Sequence, residues 1–387
     1  MELFPRKRFI RWASVIAALA GITAVLVVVV TGDSNPSPLD EVSTSPPLNA
    51  EVVSSLGVKP PTGECEIAEL PGDGKDATGL KISPDGENVV GELTDEDYDS
   101  QTVLWRDGDR ETLSAETLQN GDVNSNGAVV GDFVSDGGET SWLYVGKKTT
   151  VNYPGAEFVR LVDVNDSGEV VGNAITYGKR VTTTEEYVTP QLPTPLLWKA
   201  GSSTPVELQV REGMRGTVTA ITDGGMALGY QYRPSKDQED SGGVGEPWLW
   251  RSDGKGWKLP EPVTNALPID VAGDWVLSGG VEIPHLRWRL SDPGRMQRLS
   301  PDLMPKAIDD EGRVYGVSHP GDWPIPTRQD DGDELVKLPT LDAPKGLDHG
   351  LVQDASRDGS VLTGESLPRP GGDMGQPTSA VTWTCGT

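Results

Sequence analysis

The chain has little cysteine and little histidine, 2 and 3 residues of 387. His285, His319 and His349 stand alone, with no metal-ligand spacing, and read as surface or loop residues rather than as a zinc site or a catalytic base. No G-x-S-x-G elbow, H-E-x-x-H pair or phosphate-cradling glycine loop occurs, so no familiar catalytic motif is written in the sequence. Basic residues are outnumbered 33 to 59, for a net charge of −26. That balance argues against nucleic acid or anionic lipid as a partner and suits a protein kept soluble by its charge. Phenylalanine is rare, 4 residues against 11 tryptophans, so a large amphipathic side chain fills whatever slot repeats along the chain.

Long apolar runs are missing beyond residue 30, and the one before it stands out. Arg6, Lys7, Arg8 and Arg11 precede an uncharged stretch from Trp12 to Val30. At about 1.5 Å per residue this stretch nearly spans a bilayer core of about 30 Å. Ala18-Leu19-Ala20 offers a cleavage site, but cutting there would leave TAVLVVVV exposed, so residues 1–30 read as an uncleaved, basic signal anchor. The expected location is the cell membrane, single-pass, with the N-terminus cytoplasmic and the remainder extracellular. The absence of a cysteine just after the run argues against a lipoprotein. Residues 31–63 are rich in Pro, Ser and Thr and read as a flexible linker. Setting aside the four basic residues and one acidic residue of the first thirty leaves 29 basic against 58 acidic residues in the expected ectodomain, which reads as monomeric.

Glycine (47) and proline (31) make up about a fifth of the chain, which points to many turns and short strands. A repeat confirms the direction. ISPDGENVVGEL from Ile82 recurs as VNSNGAVVGDF, VNDSGEVVGNA, ITDGGMALGYQ, VAGDWVLSGGV, IDDEGRVYGVS and ASRDGSVLTGE. The closing glycines are Gly91, Gly131, Gly172, Gly229, Gly279, Gly316 and Gly364, spaced by 40, 41, 57, 50, 37 and 48 residues. Each copy reads as a strand, a tight Asp-Gly or Asn-Gly type turn that accepts positive φ, and a second strand. A third strand follows, ending on Trp105, Tyr144, Trp198, Trp250, Trp288 or Trp383, and then a fourth. Copy six, PIPTRQDDGDELVKL, lacks that aromatic, so its third strand is the least defined. Seven units of four antiparallel strands predict an all-β seven-bladed β-propeller over residues 64–387, behind an N-terminal transmembrane helix and linker.

Closure is legible from the cysteines. The last repeat stops after its third strand, SAVTWTCGT, and an orphan strand, CEIAEL, precedes the first. Pairing them completes blade seven and sets Cys65 beside Cys385, a disulfide expected in an exported protein. Closing a loop of that length contributes roughly 4 to 5 kcal/mol in the chain-entropy picture.

These units resemble the HAF repeats of extracellular bacterial proteins, in which an apolar strand, Asn or Asp, Gly, Val-Val-Gly and an apolar-x-Trp strand follow one another. Single units, best seen at Ser83-Pro84-Asp85-Gly86, are also similar to the repeats of TolB-type propellers. Both resemblances imply a propeller, and neither implies catalytic residues or a cofactor.

Asp122, Asp163, Asp270 and Asp354 share one register in the first strand, where the other repeats carry Lys81, Ala220 and Ala307. Such carboxylates form a partial ring for Ca²⁺, or each accepts backbone amides of its own or the next blade. The acidic clusters at Asp95, Glu96, Asp97 and Asp99 and at Asp330, Asp331, Asp333 and Glu334 lack an EF-hand frame and read as solvated loop charge. Long connections between the second and third strands of repeats three and four give one face of the ring its variable loops. Lys179, Arg180, Tyr187, Tyr232, Arg233 and Trp323 are its expected contact residues. The expectation is therefore a non-catalytic binding or scaffold module presenting that face to an extracellular protein or glycan, with a hydrolase or lyase acting on cell-envelope polymers as the alternative.

Overall fold

A computed structural model of the chain describes residues 51–386, apart from 136–137, 178–180, 183–186, 189–190, 235–244, 260–266, 281–282, 320–323, 342–348 and 368–376. The repeated turn sets the fold in motion. Its first residue accepts amides of the same turn: Asn124 Oδ1 takes the N–H groups of Asn126 (3.1 Å) and Ala128 (2.9 Å), and Asp309 Oδ1 those of Glu311 and Arg313. Ser83, Asn165, Thr222 and Ser356 do the same with one amide each. A glycine with positive φ ends every turn, from Gly86 (φ 79°) to Gly359 (φ 66°), because a Cβ there would strain the backbone.

Seven four-stranded antiparallel sheets result, one per repeat. Their first strands are Asp76–Ile82, Thr117–Val123, Phe158–Val164, Arg215–Ile221, Leu267–Ala272, Leu303–Ile308 and Gly350–Ala355. Blade seven takes its fourth strand, Cys65–Glu69, from the start of the described chain. This strand pairs with Ser379–Cys385 in the register Cys65↔Cys385 to Glu69↔Val381, and the two cysteines are disulfide-bonded. Buried residues form apolar clusters between neighbouring sheets, such as Val130, Leu161 and Leu196, which join blades two and three.

The tryptophan slot has a polar explanation as well as an apolar one. Trp105, Trp250 and Trp383 donate their indole N–H to the backbone carbonyls of Pro71 (3.0 Å), Gln209 (2.8 Å) and Pro339 (2.7 Å). Each ring is thus buried while the preceding link is tied down. Blade six does form its third strand, Ile325–Gln329, and Gln329 stands in the slot, fully buried and accepting the Ser300 amide at 3.0 Å.

Of the linker expected over 31–63, residues 31–50 lie outside the described residues, and the rest is partly built into the ring. Residues Glu51–Val53 add a fifth strand to blade five, parallel to Asp292–Arg298, and Val58 is buried beside Trp275 and Leu277. Asp331, expected to be a solvated loop charge, holds this strap by accepting the Leu56 and Gly57 amides, each at 3.2 Å, and the Ser55 hydroxyl. Asp330, from the same cluster, is ion-paired with Arg328 at 2.7 Å. Among the described residues no helix is long and apolar enough to cross a membrane, and the expected anchor at 12–30 lies outside them.

Candidate functional site

In six blades the first strand carries a β-bulge just before the shared aspartate register, as between Leu161 and Asp163 or between Pro305 and Ala307. A bulge turns two successive side chains towards one side of the sheet. The extra residues Leu80, Val162, Thr219, Ile269, Lys306 and Gln353, with Gly121 at the same position of blade two, line a central cavity of about 630 Å³. All seven blades therefore contribute to one funnel.

Below that ring the aspartates act as staples. Asp122 accepts the Val164 amide (3.3 Å), Asp163 the Ile221 amide (2.7 Å), Asp270 the Ile308 amide (3.0 Å) and Asp354 the Ile82 amide (3.0 Å). Each amide belongs to the next blade, which is the second of the two roles read from the sequence. The first role, a Ca²⁺ ring, meets a different geometry: the four carboxylates surround the ammonium of Lys81, whose Nζ lies 3.4 Å from Asp354. Their fields hold Lys81 charged, well above its ordinary range and against the opposing effect of burial. Burial raises Asp354 to about 7, and it raises Asp122 and Asp163, which hydrogen-bond to one another, as well. Among the described residues no group of three or more His, Cys, Asp or Glu is placed to hold a metal ion.

Two residues before the bulge position the first strands differ between the two halves of the ring. Thr78, Gln119, Arg160 and Thr217 hold one first-strand register in blades one to four, whereas Leu267, Met304 and Leu351 hold it in blades five to seven. Arg160 Nε meets the fully buried Asp132 at 2.8 Å. Asn173 ties blades three and four by accepting from the Val218 amide (2.9 Å) and donating to its carbonyl (3.0 Å). Tyr230 is hydrogen-bonded to Thr217, and burial keeps its phenol protonated well into the alkaline range. Burial, reinforced by repulsion from Lys81, holds the Lys306 ammonium below its ordinary pKa, with Glu365 opposing the shift. A lysine so placed yields its proton more readily than a surface one.

Of the expected contact residues, Tyr232 lines this funnel and Arg233 beside it is exposed. Tyr187 pairs with Thr182 in a small ribbon of the third blade's long connection, but its side chain is outside the described residues, as are Lys179, Arg180 and Trp323 altogether. The sequence reading did not single out Arg160, Tyr230 or Lys306. The signal for Lys306 was present in the alignment of repeats, where it is the charged residue among Leu80, Gly121, Val162, Thr219, Ile269 and Gln353.

No protein-family model matches the sequence, and no curated protein matches it either. Solved structures do. The β-propeller domain of the Trilobed protease from Pyrococcus furiosus, described as having an open velcro topology, is 14% identical with a TM-score of 0.55, over 81% of this chain and 94% of that one. The acylaminoacyl peptidase of Pyrococcus horikoshii is 14% identical with a TM-score of 0.54, over 80% of this chain, which spans about half (51%) of the peptidase's length. An oligogalacturonate lyase from Vibrio parahaemolyticus is 11% identical with a TM-score of 0.50, over 84% of this chain and 97% of that one. A TolB from Acinetobacter baumannii also matches, at a TM-score of 0.36 that is too low to argue from. At these identities the likeness establishes the fold. The matching propellers belong to peptidases and a lyase, and against them the expected non-catalytic binding or scaffold module is not carried forward.

Proposed function

We propose that the chain is a polymer-cleaving enzyme of the lyase or hydrolase class, with the central funnel as its active site. The observation that carries this reading is Lys306: a lysine depressed below its ordinary pKa by burial and by Lys81, on the wall of a cavity of about 630 Å³. Such a group gives up its proton more readily than a surface lysine and can serve as a general base, and the volume lies in the range of small-molecule sites, about 300–1,000 Å³. The lyase from Vibrio supports this reading, because its match extends over nearly its whole chain. The match to the acylaminoacyl peptidase covers 51% of that chain. Membership in the HAF-repeat group, and an anchor at residues 12–30 that holds the propeller outside the membrane, belong to the same proposal. They rest on the repeat units and on the basic and apolar N-terminus. Tyr232 and Arg233 then form part of the entrance.

The test is incubation of the full chain with a panel of cell-envelope polysaccharides and proteins, followed by chain-length analysis. One class should be shortened by the wild type, about 10²- to 10⁴-fold more slowly by Lys306→Met, the typical worth of a general base, and at the wild-type rate by Trp257→Ser on the outer edge of blade four. Failure to shorten any polymer overturns the reading.

A further inference from the structure

We propose that the funnel is a dead end of single-chain width, which admits a polymer only by its terminus and shortens it from there. This rests on reading the funnel as an active site and names the part of the substrate that reaches it. The first observation is where the cavity stops. Lys81 lines it, but the residues of the same register in the other six blades, Asp122, Asp163, Ala220, Asp270, Ala307 and Asp354, do not. The Lys81 ammonium, 3.4 Å from Asp354, lies among the four carboxylates of blades two, three, five and seven and so bridges the middle of the ring. Its charge is matched there, so it serves as a floor and not as a lure.

A second stopper lies beyond that floor, at the face of the tight turns. Arg357, in the turn of blade seven, is ion-paired with Asp223, in the turn of blade four, and its Nε lies 3.7 Å from Asp310 of blade six. Blades four and seven are not neighbours, so this side chain crosses the axis of the ring. Its backbone is fixed on both sides: the amide donates to the Pro84 carbonyl of blade one at 2.9 Å, and the carbonyl accepts the Asp310 amide at 2.7 Å. A chain entering from the side of the long connections therefore meets two closed layers in series and has no way through.

The third observation is depth. Lys306 belongs to the bulge ring, one residue above the floor, where blade four carries Thr219. At the mouth Tyr232 pairs with Arg215, four residues before Thr219. At about 3.3 Å per residue, less the slack taken up by the bulge, Lys306 lies roughly 10 to 13 Å down. Spread over that depth, the cavity of about 630 Å³ has a mean section of about 50 to 60 Å². One extended chain, about 4.8 Å by 10 Å when packed among others, fills it. The interior of a polymer would reach Lys306 only as a hairpin, which needs twice that section, whereas a free end needs it once.

The experiment first probes the geometry on the full chain, with a linear polyethylene glycol that carries an amine-reactive ester at its tip and another that carries the same ester at mid-chain. Peptide mass mapping should find Lys306 labelled at least tenfold faster by the tip than by the mid-chain ester, while the exposed Lys199 takes both at similar rates. Equal labelling of Lys306 by the two, or none by the tip, overturns the dead end. The cell-envelope panel then reads the consequence. The polymer that is shortened should release pieces of a few units while the remainder stays near full length, and blocking both of its ends with a bulky dye should slow shortening at least tenfold. Intermediate lengths among the first products overturn the inference and leave the enzyme reading standing. Tip-selective labelling with no polymer shortened overturns the enzyme reading and leaves the dead end standing.

Discussion

The two faces of the ring are made by the same repeat and have opposite characters. On the face of the tight turns the chemistry recurs from blade to blade: a capping Ser, Asn, Asp or Thr, a glycine with positive φ, and a side chain that reaches the next turn. Asn124 donates to the Asn165 carbonyl at 3.0 Å, and Asn165 to that of Thr222 at 3.1 Å. On the funnel face equivalent positions diverge, so that one register reads Thr78, Gln119, Arg160, Thr217, Leu267, Met304 and Leu351. A position under purely geometric constraint converges on the residue that satisfies the geometry, whereas one that meets a ligand takes whatever the ligand requires there. The difference separates what holds the ring from what the ring holds.

If this division is right, damage to the turn face should cost stability and spare chemistry. Replacing both Cys65 and Cys385 with Ser should lower unfolding free energy by roughly 4 to 5 kcal/mol, read by denaturant titration. A loss below about 1 kcal/mol would mean that the strand pairing alone closes the ring. Next in size, Asn165→Ala removes a buried cap and an inter-blade bond together and should cost about 2 to 3 kcal/mol, with the activity of the folded fraction unchanged.

Acidity sharpens the comparison. Glu92 and Asp354 are raised to about 7 and Asp310 to about 6, in each case chiefly by burial. The folded chain thus holds protons that the unfolded chain releases near pH 4, and stability should fall as pH rises from about 4 towards 7, then level off. Glu92→Gln should flatten that slope and gain about 1 kcal/mol at pH 8, since one Glu92 oxygen is buried without a hydrogen-bond partner. Thermal melts across this range test both statements, and a stability maximum at pH 8 would contradict them. The smallest effect belongs to the funnel face: Ile269→Ser should change stability by less than about 0.5 kcal/mol while slowing polymer cleavage several-fold, measured by chain-length analysis.

What the sequence revealed follows the same line. The turns, the blade count, the orphan strand Cys65–Glu69 and the shared aspartates are periodic, so alignment of the chain with itself exposes them. Lys81 was visible as a departure from the aspartate register, but its place among four carboxylates from other blades depends on ring closure, which no local pattern encodes. Lys306 reaches the funnel because a bulge turns it inward, and a one-residue bulge leaves no mark in composition. The strap at Glu51–Val53 was read as linker because its partners, Arg295, Met296 and Gln297, lie more than two hundred residues away.

The strand that completes blade seven also imposes an order in time. Cys65 leaves the ribosome well before its partner, 320 residues later, which at about 5–20 residues per second means a wait of roughly 15 to 60 s. Until then the first blade has an unfinished neighbour and the Cys65 thiol has no native partner to oxidise with. Oxidation of this pair therefore reports a finished ring, and a chain stalled anywhere before Cys385 keeps Cys65 without its native partner.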